Sequence, residues 1–241
     1  MRRDSLQELE IIYQDASLIA INKPSGVSVG GDRWDEGAER LDKILEARLG
    51  RRMWTVHRID KETSGVVVFA KDADAHRLLS MAFEEHMVKK CYVAAVYGAP
   101  IWRETVCDLP LTPNGNKKHL TIIDRYQGKK SITRFKVKSA VDVFSILEVF
   151  PETGRTHQIR VHASALGHPV VCDSLYCRNP KPIMLSSFKR GWRGDLFDEK
   201  PLLARLGLHA LEITLPDGLT FQAPYPRDMK ALIAQIEKTA K

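Results

Sequence analysis

Long apolar runs are missing from this chain. The longest uninterrupted ones, such as Val66–Ala70 and Tyr92–Tyr97, fall far short of the roughly 20 residues a helix needs to cross a bilayer. The opening Met-Arg-Arg-Asp-Ser-Leu-Gln-Glu is charged and leads into no apolar core, so a secretory leader is not expected and the compartment reads as cytoplasmic. Only four cysteines are present, Cys91, Cys107, Cys172 and Cys177, with no Cys-x-x-Cys pair among them. That argues against a zinc ribbon and a disulfide framework and suits a reducing compartment. No short-period repeat, low-complexity tract or convincing linker divides the sequence.

What is there is an ordinary globular inventory: 241 residues, 44% hydrophobic, 37 Lys and Arg against 30 Asp and Glu. This is enough chain to bury a core unaided. The charge is uneven. Residues 103–138 carry nine Lys/Arg and three Asp/Glu, including Lys117-Lys118-His119 and Lys129-Lys130, which is either a solvated surface or a phosphate-binding face.

The spacing of apolar residues predicts a hairpin over Leu9–Tyr13 and Leu18–Asn22. It predicts helices over 37–49, from an Asp72 N-cap to about His86, over 156–166 with Gly167 as the residue ending it, and over 227–238. In the second of these, Leu78, Leu79, Ala82 and Phe83 are expected to face inward. Strands are predicted over Gly65–Ala70, Tyr92–Tyr97, Ile132–Val137 and Phe144–Phe150, with a closing hairpin through Pro216-Asp217-Gly218. Residues 178–206 read as an irregular insertion. The order implies one α+β domain, 1–241, with an extended, largely antiparallel sheet and helices packed on it.

Three clusters could carry chemistry. His57-Arg58-Ile59-Asp60 sets a carboxylate beside two potential cations, just before a buried strand. By itself this is either a reactive group on a rigid loop or a structural Asp satisfied by backbone amides. A protein-kinase loop is excluded, because position 65 is Gly and the chain has no Gly-x-Gly-x-x-Gly. Arg155, His157, Gln158, Arg160 and His162 crowd the start of a predicted helix, where free N–H groups already favour anions. They surround the helix, so part of the cluster must be buried or occupied. His157, His162 and His168 lack the spacing of a zinc-binding pair on one helix face, so no metal site is expected. Finally, Tyr92 sits just inside a strand entered by Lys89-Lys90, a place usually filled by a core tyrosine.

Together these segments resemble the RluA-type pseudouridine synthases, which convert uridine in RNA to its C-glycoside isomer. Asn22-Lys23-Pro24-Ser25-Gly26 is similar to that family's first signature, and His57-Arg58-Ile59-Asp60-x-x-Thr63-Ser64-Gly65 to its catalytic motif. Lys90-x-Tyr92-x-Ala94, then Thr153–His162 with Gly167-His168-Pro169, and finally Leu208-His209-Ala210 with Phe221-x-Ala223-Pro224 complete five motifs in order.

The resemblance implies the pseudouridine synthase catalytic fold, with an active-site cleft across the sheet and no cofactor. It makes Asp60 the catalytic aspartate, Tyr92 a stacking and proton-handling group near the ring, and Arg160 the partner that keeps the Asp60 carboxylate ionised and oriented. Ile159 becomes an apolar floor for the base. Arg58 becomes the group that fills the gap left when the uridine leaves its stack, and His57, Thr63 and Arg155 are assigned to substrate binding. The expected substrate is structured tRNA or ribosomal RNA, bound by the catalytic domain alone, and a monomer is expected because no apolar stripe is left unassigned. A non-catalytic RNA-binding or ribosome-assembly factor on the same fold is the alternative. Two departures stand out. Cys172 and Cys177 occupy positions where relatives carry glycine, so the backbone there is expected to differ, and 178–206 is longer and more basic than expected.

Overall fold

The computed structural model describes residues 9–31, 39–115, 120–189 and 191–239. Lys117, Lys118, His119 and the predicted helix start at Gly37 lie outside them. Along the chain the elements begin with β1 (Glu10–Gln14), β2 (Leu18–Lys23), α1 (Leu41–Leu49), β3 (Trp54–Thr55), β4 (Ser64–Ala70) and α2 (Ala73–Glu84). Next come β5 (Lys89–Tyr97), β6 (Glu104–Cys107), β7 (Leu111–Thr112), β8 (Ile122–Ile123), β9 (Thr133–Val141) and β10 (Phe144–Pro151). The last are α3 (Gln158–Ala165), β11 (Leu208–Thr214), β12 (Thr220–Gln222) and α4 (Arg227–Thr239). The architecture is α+β with mostly antiparallel strands, as the sequence predicts.

The chain forms two compact units, Met1–Cys91 with His209–Pro224, and Tyr92–Leu208 with Tyr225–Lys241. The divisions at 91/92 and 208/209 fall inside β5 and β11. No linker composition marks them for that reason.

In the first unit β4 is buried along its whole length, which its unbroken Ser-Gly-Val-Val-Val-Phe-Ala run dictates. It pairs antiparallel with β2, parallel with β11 through His209↔Ser64 and Ala210↔Gly65, and antiparallel with β3 through Phe69 and Ala70. Gly65 has φ +117°, and a Cβ there would lie 2.1 Å from the Ala210 carbonyl oxygen. Only glycine permits the strands to meet this closely. Helix α2 starts as predicted, with the Asp72 carboxylate accepting the Ala75 N–H at 2.8 Å. Leu79 and Ala82 are buried, but Leu78 is 57% exposed, a correction to the inward face. It sits about 100° round the helix from Leu79, past the edge of the buried stripe.

In the second unit β10 is central, flanked antiparallel by β5 and β9, with β6 on the far side of β9. Ala94, Val96, Phe135, Leu147, Val149, Ile159, Ala163 and Val170 form its core, with Tyr92 packed at the margin. Strands β7 and β8 make a separate two-stranded arm. The sequence reads 178–206 as an irregular insertion. Among the described residues this segment holds one 3-10 turn, Leu185–Ser187, and is pinned at its neck where the buried Ile183 and Leu203 exchange backbone hydrogen bonds.

Candidate active site

In the first unit the candidate residues stand on the turn before β4. Along His57–Asp60 the side chains alternate: His57 is half-buried, Arg58 exposed, Ile59 buried and Asp60 half-buried. The turn closes through the Thr63 N–H donating to the Asp60 carbonyl at 3.0 Å. It is gripped by the first motif. The buried Lys23 ammonium donates to the carbonyls of Pro24, Val27 and Lys61 at 2.8–2.9 Å. The Gly26 N–H also reaches the Lys61 carbonyl, at 2.8 Å, and the Ser25 hydroxyl the Glu62 carbonyl, at 2.7 Å. Three residues of one loop thus hold the two that follow Asp60.

His57 turns inward. Its ring stacks on Phe83, with centroids 4.3 Å apart, and its Nε2 accepts the Val68 N–H at 2.9 Å. That amide lies between the β4 pairings with β11 and with β3, so the imidazole fills a gap in the ladder. Burial, and secondarily the Lys90 ammonium, push His57 down to about 3. The ring is therefore neutral, with its proton on Nδ1. Lys90 itself is lowered to about 8 by burial. The Thr63 hydroxyl is buried and has no hydrogen-bond partner among the described residues. The Ser64 hydroxyl donates to Nδ1 of His209 at 3.0 Å, leaving that ring's Nε2–H directed at the Ala223 carbonyl.

In the second unit α3 begins at Gln158, two residues later than predicted. His157, at φ +54°, is in the left-handed region and ends the preceding loop. Gln158 and His162 explain the donor-rich cluster. The Ile132 N–H donates to the Thr153 hydroxyl, which donates to Gln158 Oε1. Gln158 Nε2 donates to the Thr133 hydroxyl, which donates to His162 Nδ1, and His162 Nε2–H meets the Leu109 carbonyl. Every bond in this chain runs 2.7–3.0 Å. It bolts one side of α3 to β9 and the loop before β7. Arg155 stands in the preceding loop, its Nε donating to the Lys130 carbonyl at 3.2 Å.

Arg160 faces the other way. Its Nε and Nη2 donate to the two carboxylate oxygens of Asp173 at 2.8 and 2.7 Å, and its guanidinium carbon lies 5.2 Å from the Tyr176 ring centroid. Burial pushes Asp173 up, but Arg160 and the N–H groups of Leu175 and Tyr176 outweigh that and hold its carboxyl below the usual range. The Tyr176 hydroxyl accepts the Thr121 N–H at 3.0 Å and meets Nδ1 of His157 at 2.8 Å. Asp173 and Tyr176 are absent from the candidate set read from the sequence, although the Asp-x-x-Tyr spacing after Gly-His-Pro was a signal for both. Of the two cysteines expected to alter the backbone, the neighbouring Cys172 does not. At φ +57° it keeps the left-handed conformation that suits glycine.

The structure thus places His57, Arg58, Asp60 and Thr63 on one turn of the first unit. Tyr92, Arg155, Ile159 and Arg160 lie in the second, where Ile159 and Tyr92 share one apolar cluster. A half-buried carboxylate on a clamped turn can act as nucleophile or base, and an immobilised guanidinium can orient an anionic group. The β9 stripe of exposed cations is balanced: Arg134, Lys136 and Lys138 stand 3.5–3.9 Å from Glu104, Glu148 and Glu237.

Residues 17–165 match the model of the RNA pseudouridylate synthase family. An uncharacterized RNA pseudouridine synthase of Zymomonas mobilis is 34% identical over 224 residues, covering 90% of this chain and 94% of that protein. The ribosomal large subunit pseudouridine synthase C of Vibrio parahaemolyticus is 39% identical over 245 residues, covering 98% of this chain and 72% of that one. Among solved structures, human RNA pseudouridylate synthase domain containing 1 superposes with a TM-score of 0.69 at 30% identity, covering 94% of this chain and 86% of the other. By its motifs, its fold and these relatives, the chain belongs to the RNA pseudouridylate synthase family.

Proposed function

We propose that this chain isomerises uridine to pseudouridine in ribosomal RNA, with Asp60 carrying the chemistry. The reaction breaks the bond from the ring nitrogen to the anomeric carbon, turns the uracil and rejoins it through carbon 5, whose proton is released. One well-held carboxylate suffices for it. The observation that carries the reading is the clamp on the Asp60 turn, where Lys23, Ser25 and Gly26 fix the carbonyls of Lys61 and Glu62. Such fixing pre-orients a reactive group.

Tyr92 and Arg160 act on the same uridine, with Ile159 beneath the base. Arg58, exposed at the turn, enters the space that the extruded base leaves. Thr63 offers its hydroxyl, and Arg155 contacts phosphate. His57 serves by shaping the turn. Ribosomal RNA is the favoured substrate because several relatives are named as ribosomal large subunit enzymes, and a cytoplasmic location fits that substrate.

The test is tritium release from RNA labelled at uridine carbon 5, using separate ribosomal and transfer RNA pools from cells lacking the protein. Release from ribosomal RNA by the wild type, abolished in Asp60→Asn, is the expected result. Release from transfer RNA alone would move the substrate class. No release from either pool, with RNA binding intact, would favour a non-catalytic assembly factor.

A further inference from the structure

We infer that the turn carrying Tyr126 is a binding site for an unpaired base of the RNA, with Tyr126 as the stacking surface and Arg125, Lys129 and Lys130 as phosphate-binding groups. The inference rests on the reading of the protein as an enzyme of RNA, and goes beyond it by naming where the strand outside the reacting uridine is held.

Tyr126 is 99% exposed, yet its backbone belongs to one of the most heavily tied turns in the second unit. The Asp124 carboxylate accepts the N–H groups of Tyr126 and Gln127, both at 3.0 Å, and the Thr112 hydroxyl at 3.1 Å. The Gly128 N–H returns to the Asp124 carbonyl, the Asp124 N–H reaches the Pro110 carbonyl, and Lys129 and Leu111 exchange two backbone bonds. A Cβ on Gly128 would lie 2.2 Å from the Asp124 oxygen and 2.8 Å from the Pro110 carbonyl carbon, so the turn is packed tightly against the start of β7. A fixed turn that points a bare aromatic ring at solvent gains nothing for the fold. It does lower the ordering cost of stacking that ring on a partner.

Charge identifies the partner. Asp124, the carboxylate in this turn, is held by three donors, and the backbone amides of Gln127 and Tyr126 pull it below its ordinary range. Around it Arg125, Lys129 and Lys130 are exposed and have no carboxylate partner among the described residues. The cations of β9, by contrast, are each matched to a glutamate. Within the basic segment singled out in the sequence, this turn presents uncompensated positive charge around a fully exposed aromatic ring. That is the combination by which proteins hold single-stranded nucleic acid. The arm is also joined to the Tyr176 loop and to the loop that leads into α3. Thr121 donates to Tyr176, whose ring lies near Arg160, and Arg155 donates to the Lys130 carbonyl.

The experiment is fluorescence anisotropy with a labelled single-stranded oligoribonucleotide and with an RNA duplex of the same sequence. Wild type, Tyr126→Ala, Tyr126→Phe and Lys129→Ala/Lys130→Ala are compared across a salt series. Tyr126→Ala should weaken single-strand binding by about 5- to 150-fold with an unchanged salt slope, and Tyr126→Phe should stay within about twofold of wild type. The double lysine variant should flatten the slope by roughly 0.7 for each phosphate no longer neutralised.

Wild-type affinity for the single strand by Tyr126→Ala, or a Phe variant as weak as the Ala variant, would overturn the stacking site. Equal weakening on duplex and single strand would overturn it too. Wild-type protein that binds neither RNA would instead sink the RNA-enzyme reading, so the two failures are distinguishable. Because Tyr126 is 99% exposed, unchanged thermal melting of its variants checks that folding is not the cause.

Discussion

Arg160 is held edge-on by Asp173 through two parallel bonds of 2.8 and 2.7 Å, with both side chains at most 5% exposed. A bidentate pair of this kind fixes the plane of the guanidinium as well as its place. Removing one partner strands a buried charge, at a cost of about 3–5 kcal/mol. Asp173→Asn should lower the urea midpoint accordingly and cut pseudouridine formation even where the protein remains folded. Arg160→Met with Asp173→Leu should recover much of the stability and none of the activity. An unchanged midpoint in Asp173→Asn would show that the pair does not stabilise the fold.

His57 makes acid stability a test of the ladder repair. Its folded value near 3 lies below the 6.5 of an unfolded histidine, and burial also lowers His162. Between about pH 6.5 and 4.5 the unfolded chain takes up a proton that the folded His57 ring refuses. The His57 contribution is therefore complete above pH 6.5 and is lost on acidification, by up to about 1.4 kcal/mol per pH unit, and the lowered His162 acts in the same direction. Below that window the depressed carboxyls, Asp173 among them, add further destabilisation. Urea titrations at stepped pH should show His57→Asn flattening the slope by about one proton. An equal slope in both proteins would mean that His57 accepts its proton in the folded state.

Cys172 should be a sluggish thiol. Burial raises it to about 11, and its Sγ donates to the Lys181 carbonyl at 3.2 Å. At pH 8 about one molecule in a thousand carries the thiolate, so alkylation followed by peptide mass spectrometry should find Cys172 modified some hundredfold more slowly than an unhindered cysteine. Cys172→Gly relieves a left-handed conformation disfavoured by about 1–2 kcal/mol and should melt at or slightly above the wild-type temperature. A clear drop would mean that the thiol's hydrogen bonds outweigh the strain.

The Thr63 hydroxyl separates stability from activity. It is buried without a partner among the described residues, so Thr63→Val should raise stability by about 1 kcal/mol or more. If that hydroxyl meets the substrate, kcat/KM on ribosomal RNA should fall in the same variant. Unchanged kcat/KM would remove Thr63 from the binding set.

Much of this was legible in the chain. Asp72 before an apolar-periodic run predicts its own cap, and Gly167 at φ +83° ends α3 where the sequence places the stop. The Asp60 turn could be located because a short polar motif abuts an unbroken buried strand. What stayed hidden depends on residues distant along the chain. The sequence assigns His57 to substrate binding, and only the gap between the β3 and β11 pairings shows why an imidazole belongs inside. Gln158 and His162 read as anion-binding helix residues until Thr133 and Leu109 arrive to absorb them. Strands β7 and β8, at two residues each, are too short to leave any periodicity. The left-handed Cys172 contradicts local preference and is sustained by its surroundings.

The parallel pairing of β4 with β11 also sets a clock. Ser64 and His209 are 145 positions apart, so the backing for the Asp60 turn leaves the ribosome long after the turn itself. At about 5–20 residues per second, the interval is roughly 7–30 s. During it, the turn has its early clamp from Lys23 but no β11 behind Gly65. A nascent or prematurely ended chain therefore carries the Asp60 turn without the wall it stands against, and on the proposed role of Asp60 modification of RNA waits until β11 has been made.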